Sequence, residues 1–373
     1  MRRCGRRGGV QARGFDMAHI LSCGVYIPYY RLKREEIAGA WRRGAARGER
    51  AVANYDEDSL TMGVEAGFFA LDGVEEKPDA LYFATTTPPY DEKQTAALAA
   101  TVLDLPRSAF TADFTGSLRA LTSALIAASH AVDSGRHRSV LVVASDMRPA
   151  LPASPQELLF GDAACAFVVA PGDGSLALSD YHTVNDSTVV IWRKHGDRFV
   201  NVWEDRFVKQ SGYLRVMREG ISGLLKRAQI EPKDISMFAA YAPDARSLGG
   251  IAKAAGFDPR SQVADALLGM VGDCGVATAG LALISAVSRS SAGDRIVMCG
   301  FGDGCDALLF EAKDGVDSVL CGPRIQEQID SRAYLSYVDY LRFRRLVPNQ
   351  ITDIPQGTSS APWTMRDEDA VLK

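Results

Sequence analysis

The residue with the clearest chemical potential is Ser117, which stands where a short β-like run gives way to a helix. The run ends at Thr115–Gly116, and the helix that follows consists of Ala, Leu, Ile and Ser with almost no polar face. Such a helix is predicted to be buried. Its first turn offers unpaired N–H groups and a positive dipole end, which can stabilise an oxyanion. The alternative is a plain core helix with Ser117 as its N-cap.

The elements that must position this serine form an internal repeat. Asp79 and Val140 are 61 residues apart, and the matching Asp234 and Ile296 are 62 residues apart. Each copy is predicted to fold as the same β-α-β-β unit, which indicates a pseudo-twofold α/β domain. Placing the buried helices between two sheets gives a five-layer αβαβα stack.

The repeat relates Ser117 to other polar residues. Thr86 and Tyr241 end two matched apolar strands, and Asp273–Cys274 opens a second small-residue helix. Thr86 is therefore equivalent to Tyr241, and Ser117 to the Asp273/Cys274 pair. All of them are predicted near the pseudo-axis, where a pocket would form.

Composition restricts the class of protein. The chain has 373 residues and a net charge of −4, without a long basic run, so nucleic-acid and membrane-surface binding are not indicated. No run of about 18 apolar residues predicts a transmembrane helix. The seven cysteines lack zinc-ribbon spacing, and a chain of this size needs no disulfides. The pattern favours a cytoplasmic protein without a metal site.

The chain is predicted to divide into four segments. The first is Arg-rich and has no apolar signal-peptide core, so it is interpreted as a disordered leader or an over-long start before Met17. The segments are the leader 1–16, a first half 17–185, a second half 186–313 with an insertion at 186–212, and a tail 314–373.

Four motifs stand out along the chain: Gly24-Val-Tyr-Ile-Pro28, Tyr55-Asp-Glu-Asp-Ser-Leu-Thr-Met62, Phe160-Gly-Asp-Ala-Ala164 and Gly302-Asp-Gly304. With the internal repeat, they resemble the thiolase superfamily, and most closely 3-hydroxy-3-methylglutaryl-CoA synthase and its bacterial and archaeal relatives. The resemblance extends from Met17 to Lys313 and implies the thiolase-like αβαβα fold, an acyl-CoA substrate and a homodimer.

The sequence departs from this family at the residues that carry its chemistry. By resemblance, the nucleophilic cysteine corresponds to Ser117 and the general-base histidine to Tyr241. The glutamate falls at about Thr86, and the asparagine of the second helix corresponds to Asp273. No His lies within 234–246 and no Cys within 111–135.

A serine needs an adjacent base to act as a nucleophile, so a covalent acyl-enzyme is disfavoured. The nearest candidate bases are Asp113 and Asp273. We therefore expect an enzyme that makes or breaks a C–C bond β to a thioester by an aldol, retro-aldol or Claisen-type step. Ser117 and nearby amides would hold the thioester oxygen, Tyr241 would act as acid or base, and Asp273 would orient it.

Two alternatives stay open. The first is a covalent acyltransferase that is acylated on Ser117 or Cys274, and the second is a non-catalytic scaffold subunit of a thiolase/OB-fold protein complex. No bound cofactor is predicted apart from the coenzyme A thioester substrate. Basic residues of the insertion, Arg193, Lys194 and Arg206, are candidates to contact the coenzyme A phosphates.

The tail has no place in the repeat. Tyr334 to Pro348 is aromatic and basic, and a Pro/Ser/Thr linker with Trp363 follows. Relatives that resemble this chain run on into, or pair with, an OB-fold zinc-ribbon domain, so the tail is interpreted as a docking segment for such a partner. The alternative is a helix packed on the parent domain with a frayed end.

Overall fold

The computed structural model describes residues 18–172, 175–188, 191–204, 207–319 and 322–347. Its strands are β1 His19–Tyr26, β2 Tyr30–Lys33, β3 Glu49–Val52, β4 Ala80–Ala84, β5 Phe110–Phe114, β6 Val140–Met147, β7 Asp162–Ala170, β8 Leu176–Asn185, β9 Ile191–Trp192, β10 Asn201–Val202, β11 Met237–Ala240, β12 Arg295–Phe301, β13 Gly304–Ala312 and β14 Ala333–Tyr334. Its α-helices are α1 Arg34–Ala40, α2 Ser59–Leu71, α3 Thr95–Val102, α4 Ala120–Asp133, α5 Pro155–Leu159, α6 Arg215–Ala228, α7 Ala245–Ala255, α8 Ala277–Val287, α9 Gly322–Asp330 and α10 Tyr337–Phe343.

The repeat is visible in the strand order. The first half gives β5-β4-β6-β7-β1, and the second gives β11-β12-β13-β8. β4 pairs in parallel with β6 and β5, and β11 pairs in parallel with β12 and bridges in parallel to Val263. The half-sheets are joined into a nine-stranded sheet by two residue pairs between β1 and β8. The same unit is therefore built twice, in the same order.

Two helices lie between the half-sheets. α4 contacts β4, β6 and β7 of the first half and β12 and β13 of the second, while α8 contacts β6 and β7 as well as β11 and β12. α2 and α3 pack on the first half-sheet, and α6 contacts β8 and β13 of the second. These contacts confirm the predicted αβαβα layering.

The central helices are buried because they carry no polar face. In α8 every residue except Ser285 is buried, and the residues are small enough for close packing against strands on both sides. Gly280, for example, has the Cys165 sulfur and Leu121 so close that an added Cβ would not fit. A surface helix such as α6 instead buries one face and leaves its charged residues outside.

The insertion at 186–212 folds over one end of the sheet. β9 and β10 form a short antiparallel hairpin, and the aromatic rings of Trp192 and Trp203 pack beside it at 6.0 Å. A wide helical turn, Val208–Leu214, then leads directly into α6. The chain therefore becomes helical within the insertion, before α6 begins.

Part of the tail belongs to the parent domain. β14 adds in parallel to β2, and α10 packs its buried Tyr337 and Tyr340 against Leu32 and Ile37. This is the packed-helix alternative for residues 333–346. Trp363 and the linker lie outside the described residues, so docking of a partner stays a prediction.

Candidate active site

Two adjoining cavities lie at the ends of the central strands and helices. The outer cavity has a volume of about 150 Å³ and the inner one about 60 Å³. The outer cavity is lined by Thr86, Thr87, Gly116, Ser117, Leu118, Arg148, Thr188, Ile191, Trp192, Arg193, Val200, Phe301, Gly302 and Asp303. The inner cavity is lined by Leu118, Gln156, Leu159, Phe160, Ile191, Val202, Val208, Lys209, Tyr213, Tyr241, Pro243, Asp244, Asp273 and Phe301. Leu118, Ile191 and Phe301 form the wall that the cavities share.

Ser117 lies in the turn before α4, not in the helix itself. The helix begins at Ala120 with Arg119 as its N-cap, so the predicted helix start at Ser117, and its role as the N-cap, were wrong. In both repeats the N–H of the first helical residue donates to the backbone carbonyl three positions earlier. The acceptor is the Ser117 carbonyl in α4 and the Cys274 carbonyl in α8. The predicted equivalence of these two positions is therefore supported by the fold.

An ion pair connects the start of α4 to the second half of the chain. The Arg119 guanidinium donates to the buried Asp306 carboxylate at 3.2 Å and to the Val184 carbonyl at 3.1 Å. Thr122 and Ser123, in the first turn of α4, donate to the other oxygen of Asp306. These contacts fix the Ser117 turn to β8 and β13.

Gly302 packs closely against this turn. A Cβ on Gly302 would lie 2.7 Å from the Leu118 nitrogen, 2.7 Å from the Ser117 Oγ and 2.9 Å from the Arg119 nitrogen. The Ser117 Oγ is buried and has no hydrogen-bond partner among the described residues. Two backbone nitrogens and an unpartnered hydroxyl therefore lie close together beside the outer cavity, and groups of this kind can stabilise a developing oxyanion.

Thr86 is held by Asp146, a fully buried residue near the end of β6. The Thr86 N–H donates to Asp146 Oδ1 at 2.6 Å, and the Thr86 hydroxyl donates to Oδ2 at 2.9 Å. Thr85 and Thr87 each donate a hydroxyl to Oδ1 at 3.0 Å. The Val276 N–H, just before α8, donates to Oδ2 at 3.0 Å. Asp146 thus connects the first half to the start of the second central helix.

Replacing Asp146 by asparagine is expected to destabilise the protein by about 1–3 kcal/mol. Both carboxylate oxygens of Asp146 accept hydrogen bonds, so the NH2 group of an asparagine side chain would face N–H or hydroxyl groups that are themselves donors. Urea unfolding measures the change. Asp180→Asn is the matched control because it weakens an exposed ion pair to Arg227 and should cost about 1 kcal/mol or less. Equal losses in the two variants would contradict the role given to Asp146.

Asp273 accepts hydrogen bonds from the side chains of Arg148 and Tyr241 and from a backbone amide at the edge of the inner cavity. Its Oδ2 accepts from Arg148 at 2.8 Å and from the Tyr241 hydroxyl at 3.1 Å, while its Oδ1 accepts from the Gly275 N–H at 3.0 Å. The Arg148 guanidinium also stacks on the Phe160 ring at 3.9 Å. All these side chains are almost completely buried. The pair is therefore a fully desolvated ion pair with additional hydrogen bonds.

Burial and charge shift the pKa of each member of this cluster. Burial, and then the Asp273 charge, raise the pKa of Tyr241 well above its usual value, so Tyr241 is a protonated donor at neutral pH. Burial works against the charge of Arg148, but Asp273 and the other neighbours outweigh it and raise the Arg148 pKa. Burial raises the pKa of Asp273, and Arg148 opposes that change. A carboxylate with a raised pKa is a better proton acceptor.

The predicted site residues divide between the two cavities. Ser117, Thr86 and Arg193 line the outer cavity, and Tyr241 and Asp273 line the inner one. Arg193 also donates to the Thr86 carbonyl at 3.0 Å. The predicted candidates therefore converge on one region of the fold, although Ser117 and Tyr241 are on different sides of the shared wall.

Other predicted residues lie elsewhere. Lys194 lines neither cavity, and Arg206 is outside the described residues. Asp113 accepts from the Thr95 and Ala96 N–H groups at the start of α3, so its proposed role as a base for Ser117 was wrong.

Cys274 is a poor candidate for acylation. It is fully buried, lines neither cavity, and has a pKa that burial raises well above the usual value for a thiol. A reactive cysteine instead needs an accessible, electropositive environment that favours the thiolate. Neither described cavity is lined by a histidine or a cysteine.

Sequence reasoning missed Arg148 and Asp146. Asp146 lies near the end of β6 and Arg148 directly follows that strand, which is parallel to β4 and therefore finishes at the same edge as Thr86. Charged residues in a run that is otherwise apolar were the available signal. Their partners could not be foreseen, because Asp273 is 125 residues and Val276 is 130 residues away in the chain.

Two other features, a metal-binding cluster and a membrane-spanning helix, are absent from the part of the chain that the structure describes. No cluster of His, Cys, Asp and Glu side chains in that part of the chain could hold a metal ion. None of its helices combines the length and the apolar character needed to cross a bilayer.

Family models match both halves of the chain. The model of 3-oxoacyl-[acyl-carrier-protein] synthase III matches residues 112–187, and the model of its C-terminal region matches residues 225–310. Hydroxymethylglutaryl-CoA synthase of Methanopyrus kandleri is 26% identical over 87% of this chain and 97% of its own length. The enzyme of Thermococcus sibiricus is 28% identical over 87% of this chain and 95% of its own length.

Solved structures share the fold. HMG-CoA synthase complexed with CoA has a TM-score of 0.81 at 20% identity, covering 90% of this chain and 92% of that one. 3-Oxoacyl-[acyl-carrier-protein] synthase III from Aquifex aeolicus has a TM-score of 0.71 at 21% identity, covering 79% of this chain and 99% of that one. The repeated αβαβα fold, the family models and the relatives agree: the two halves of the chain match the two regions of 3-oxoacyl-[acyl-carrier-protein] synthase III, a thiolase-superfamily enzyme, and the chain is similar to the hydroxymethylglutaryl-CoA synthases over most of its length.

Proposed function

We propose that this protein is an acyl-CoA enzyme that makes or breaks a C–C bond β to the thioester, in the manner of its hydroxymethylglutaryl-CoA synthase relatives, but without a covalent acyl-enzyme. The observation that carries the proposal is the content of the two cavities. They combine an oxyanion-type cluster at Ser117 with the Arg148–Asp273–Tyr241 cluster, and neither is lined by a thiol or an imidazole. These groups suit enolate chemistry better than acyl transfer to a side chain.

The Ser117 turn would hold the thioester oxygen. When an enolate forms, negative charge develops on that oxygen, and preorganised N–H donors stabilise it more than they stabilise the neutral carbonyl. The Leu118 and Arg119 amides and the Ser117 hydroxyl supply such donors beside Gly302. Loss of one such donor typically costs about 100- to 1,000-fold in rate.

Tyr241 and Asp273 would move the proton. In the cleavage direction, the β-hydroxyl gives its proton to the Tyr241 oxygen while the Tyr241 proton passes to Asp273, 3.1 Å away. The hydroxyl carbon becomes a carbonyl, the Cα–Cβ bond breaks, and its electron pair enters the thioester enolate. The enolate then takes a proton at Cα from the Tyr241 hydroxyl, and Asp273 returns its proton to Tyr241, so that both side chains regain their starting states. Because the pKa of Tyr241 is raised, the paired carboxylate is needed for the phenol to accept a proton.

Intact mass measured after brief exposure of the protein to a panel of acyl-CoA thioesters tests the proposal. We expect no adduct, together with a free aldehyde or ketone and a shorter acyl-CoA. A stable adduct on Ser117 or Cys274 would instead establish covalent acyl transfer. The absence of both adduct and product, with and without a partner protein, would favour the scaffold role.

Replacing Tyr241 by phenylalanine is expected to lower turnover by about 100-fold or more while coenzyme A affinity stays within about twofold, as for loss of a general acid–base group. The hydroxyl is removed, but the ring can still stack with Phe301, whose centroid is 6.2 Å away. Steady-state kinetics and calorimetric binding of coenzyme A separate the two effects. Turnover equal to that of the unaltered protein would remove Tyr241 from the mechanism.

The assembly is part of the proposal. We infer a homodimer, cytoplasmic location, coenzyme A phosphates bound by Arg193, Lys194 and Arg206, and an OB-fold zinc-ribbon partner that docks through the tail. Exposed Arg193 and Lys194 beside the outer cavity support the phosphate contact. Deleting residues 348–373 preserves the packed helix α10 and tests the tail. Full retention of the partner by that variant in a pull-down would rule out docking through the deleted residues.

A further inference from the structure

The inner cavity is built for an uncharged group. Most of its lining is apolar, and its charged side chains are already paired within the protein. Asp273 binds Arg148 at 2.8 Å, and Lys209 binds Asp244 at 3.1 Å. A ligand carboxylate placed there would lose its hydration without gaining a free cationic partner, which is costly in a buried site.

Phe301 lines both cavities and is one of the three residues that form the wall between them. Its ring is 5% exposed, stacks nearly parallel to Tyr241 at 6.2 Å, and meets Tyr213 edge-on at 5.1 Å. The Tyr213 hydroxyl donates to the Tyr241 carbonyl at 2.7 Å and thereby fixes that neighbour. Phe301 directly precedes Gly302, which packs against the Ser117 turn, so the wall lies next to the oxyanion-type cluster.

We propose that the inner cavity is the subsite for an apolar acyl substituent of the CoA thioester, and that Phe301 sets the length of the chain it accepts. The inference rests on the proposed function and narrows it. The thioester lies at the Ser117 turn in the outer cavity, and the substituent passes the wall toward Tyr241. A short, uncharged acyl group fits this arrangement, whereas one that ends in a carboxylate, such as 3-hydroxy-3-methylglutaryl, does not.

Calorimetric titration with free coenzyme A and with acetyl-, butyryl-, pentanoyl-, hexanoyl- and octanoyl-CoA tests the subsite. For the unaltered protein we expect affinity to rise by about fourfold for each methylene that is buried, and to fall once the chain exceeds the cavity. Glutaryl-CoA is expected to bind at least tenfold more weakly than pentanoyl-CoA, which has the same chain length without the terminal charge.

Phe301→Ala is expected to move the preferred chain length upward by two carbons or more. Phe301→Leu keeps more of the buried volume and should also move the preferred chain length upward. It replaces the alanine variant in the test if that variant does not fold. Phe207→Ala is the matched control because this aromatic residue is 44% exposed and lines neither cavity. The control should keep the chain-length profile of the unaltered protein.

The outcomes separate the subsite from the function. If coenzyme A binds but affinity is independent of chain length, or if folded Phe301 variants keep the original optimum, the subsite is wrong and the proposed function stands. Tighter binding of glutaryl-CoA than of pentanoyl-CoA would likewise overturn the subsite. If the folded protein binds neither coenzyme A nor any thioester, both the subsite and the proposed function are overturned.

Discussion

Replacing Asp273 by alanine is expected to lower the free energy of unfolding by about 3–5 kcal/mol, because it leaves the Arg148 charge buried without a partner. Arg148 is only 3% exposed, so water can replace little of the lost carboxylate. The substitution also strands the Tyr241 hydroxyl, which donates to the same carboxylate. Urea or thermal unfolding measures the loss.

The paired variant Arg148→Met/Asp273→Leu is the control. This variant has no buried guanidinium without a partner, so it should regain most of the stability that Asp273→Ala loses. Glu75→Ala, at an exposed position outside the helices and strands, should change the unfolding free energy by no more than about 0.5 kcal/mol. A loss below 1 kcal/mol for Asp273→Ala would contradict the interpretation of a fully desolvated pair. Activity should be absent in both Asp273 variants if the carboxylate accepts the proton from Tyr241.

Gly302→Ala is expected to reduce kcat/KM by at least about 100-fold, the typical cost of losing an oxyanion donor. The new methyl would meet the Leu118 nitrogen and the Ser117 Oγ at 2.7 Å, closer than real Cβ atoms approach. It would push away the turn whose amides and hydroxyl are proposed to hold the thioester oxygen. Gly302 also has a φ of 155°, which L-residues rarely adopt, so the chain must shift near the cavity. Kinetics with the substrate found by the acyl-CoA panel measures the effect.

Gly116→Ala separates the blocked site from general backbone strain. Gly116 lies in the same turn and has a φ of 80°, but nothing lies within 4 Å of the position a Cβ would take. This control should cost stability through strain and retain most of its kcat/KM. If Gly302→Ala is as active as Gly116→Ala, the thioester oxygen does not bind beside Gly302.

Both predictions concern contacts between the two halves of the chain. Gly302, at the end of β12, closes against the turn before α4, and Arg148, after β6, binds Asp273 before α8. Asp146 adds a third connection of this kind. The candidate site is therefore stabilised by the same interactions that hold the repeats together, and disturbing it is expected to affect stability as well as activity.

The layered fold and the region of the candidate site could both be predicted from patterns in the sequence. Two apolar strands of matched spacing and two helices without a polar face are local signals, because burial on both sides excludes polar residues wherever the chain passes. The repeat then placed Ser117 and Thr86, and likewise Tyr241 and Asp273, at strand ends or helix starts of the same region. Those assignments needed only spacing and symmetry.

The partners of these polar residues follow from the folded chain and not from local patterns. Arg119, in the turn before α4, binds Asp306, which is 187 residues away. The Asp113 carboxylate, a candidate base on sequence grounds, instead accepts two N–H groups of α3. Partner choice for a charged side chain is set by distances and burial between segments that are remote in sequence. Periodicity and local composition contain no information about those distances, so the roles of single polar residues emerged only from the folded chain.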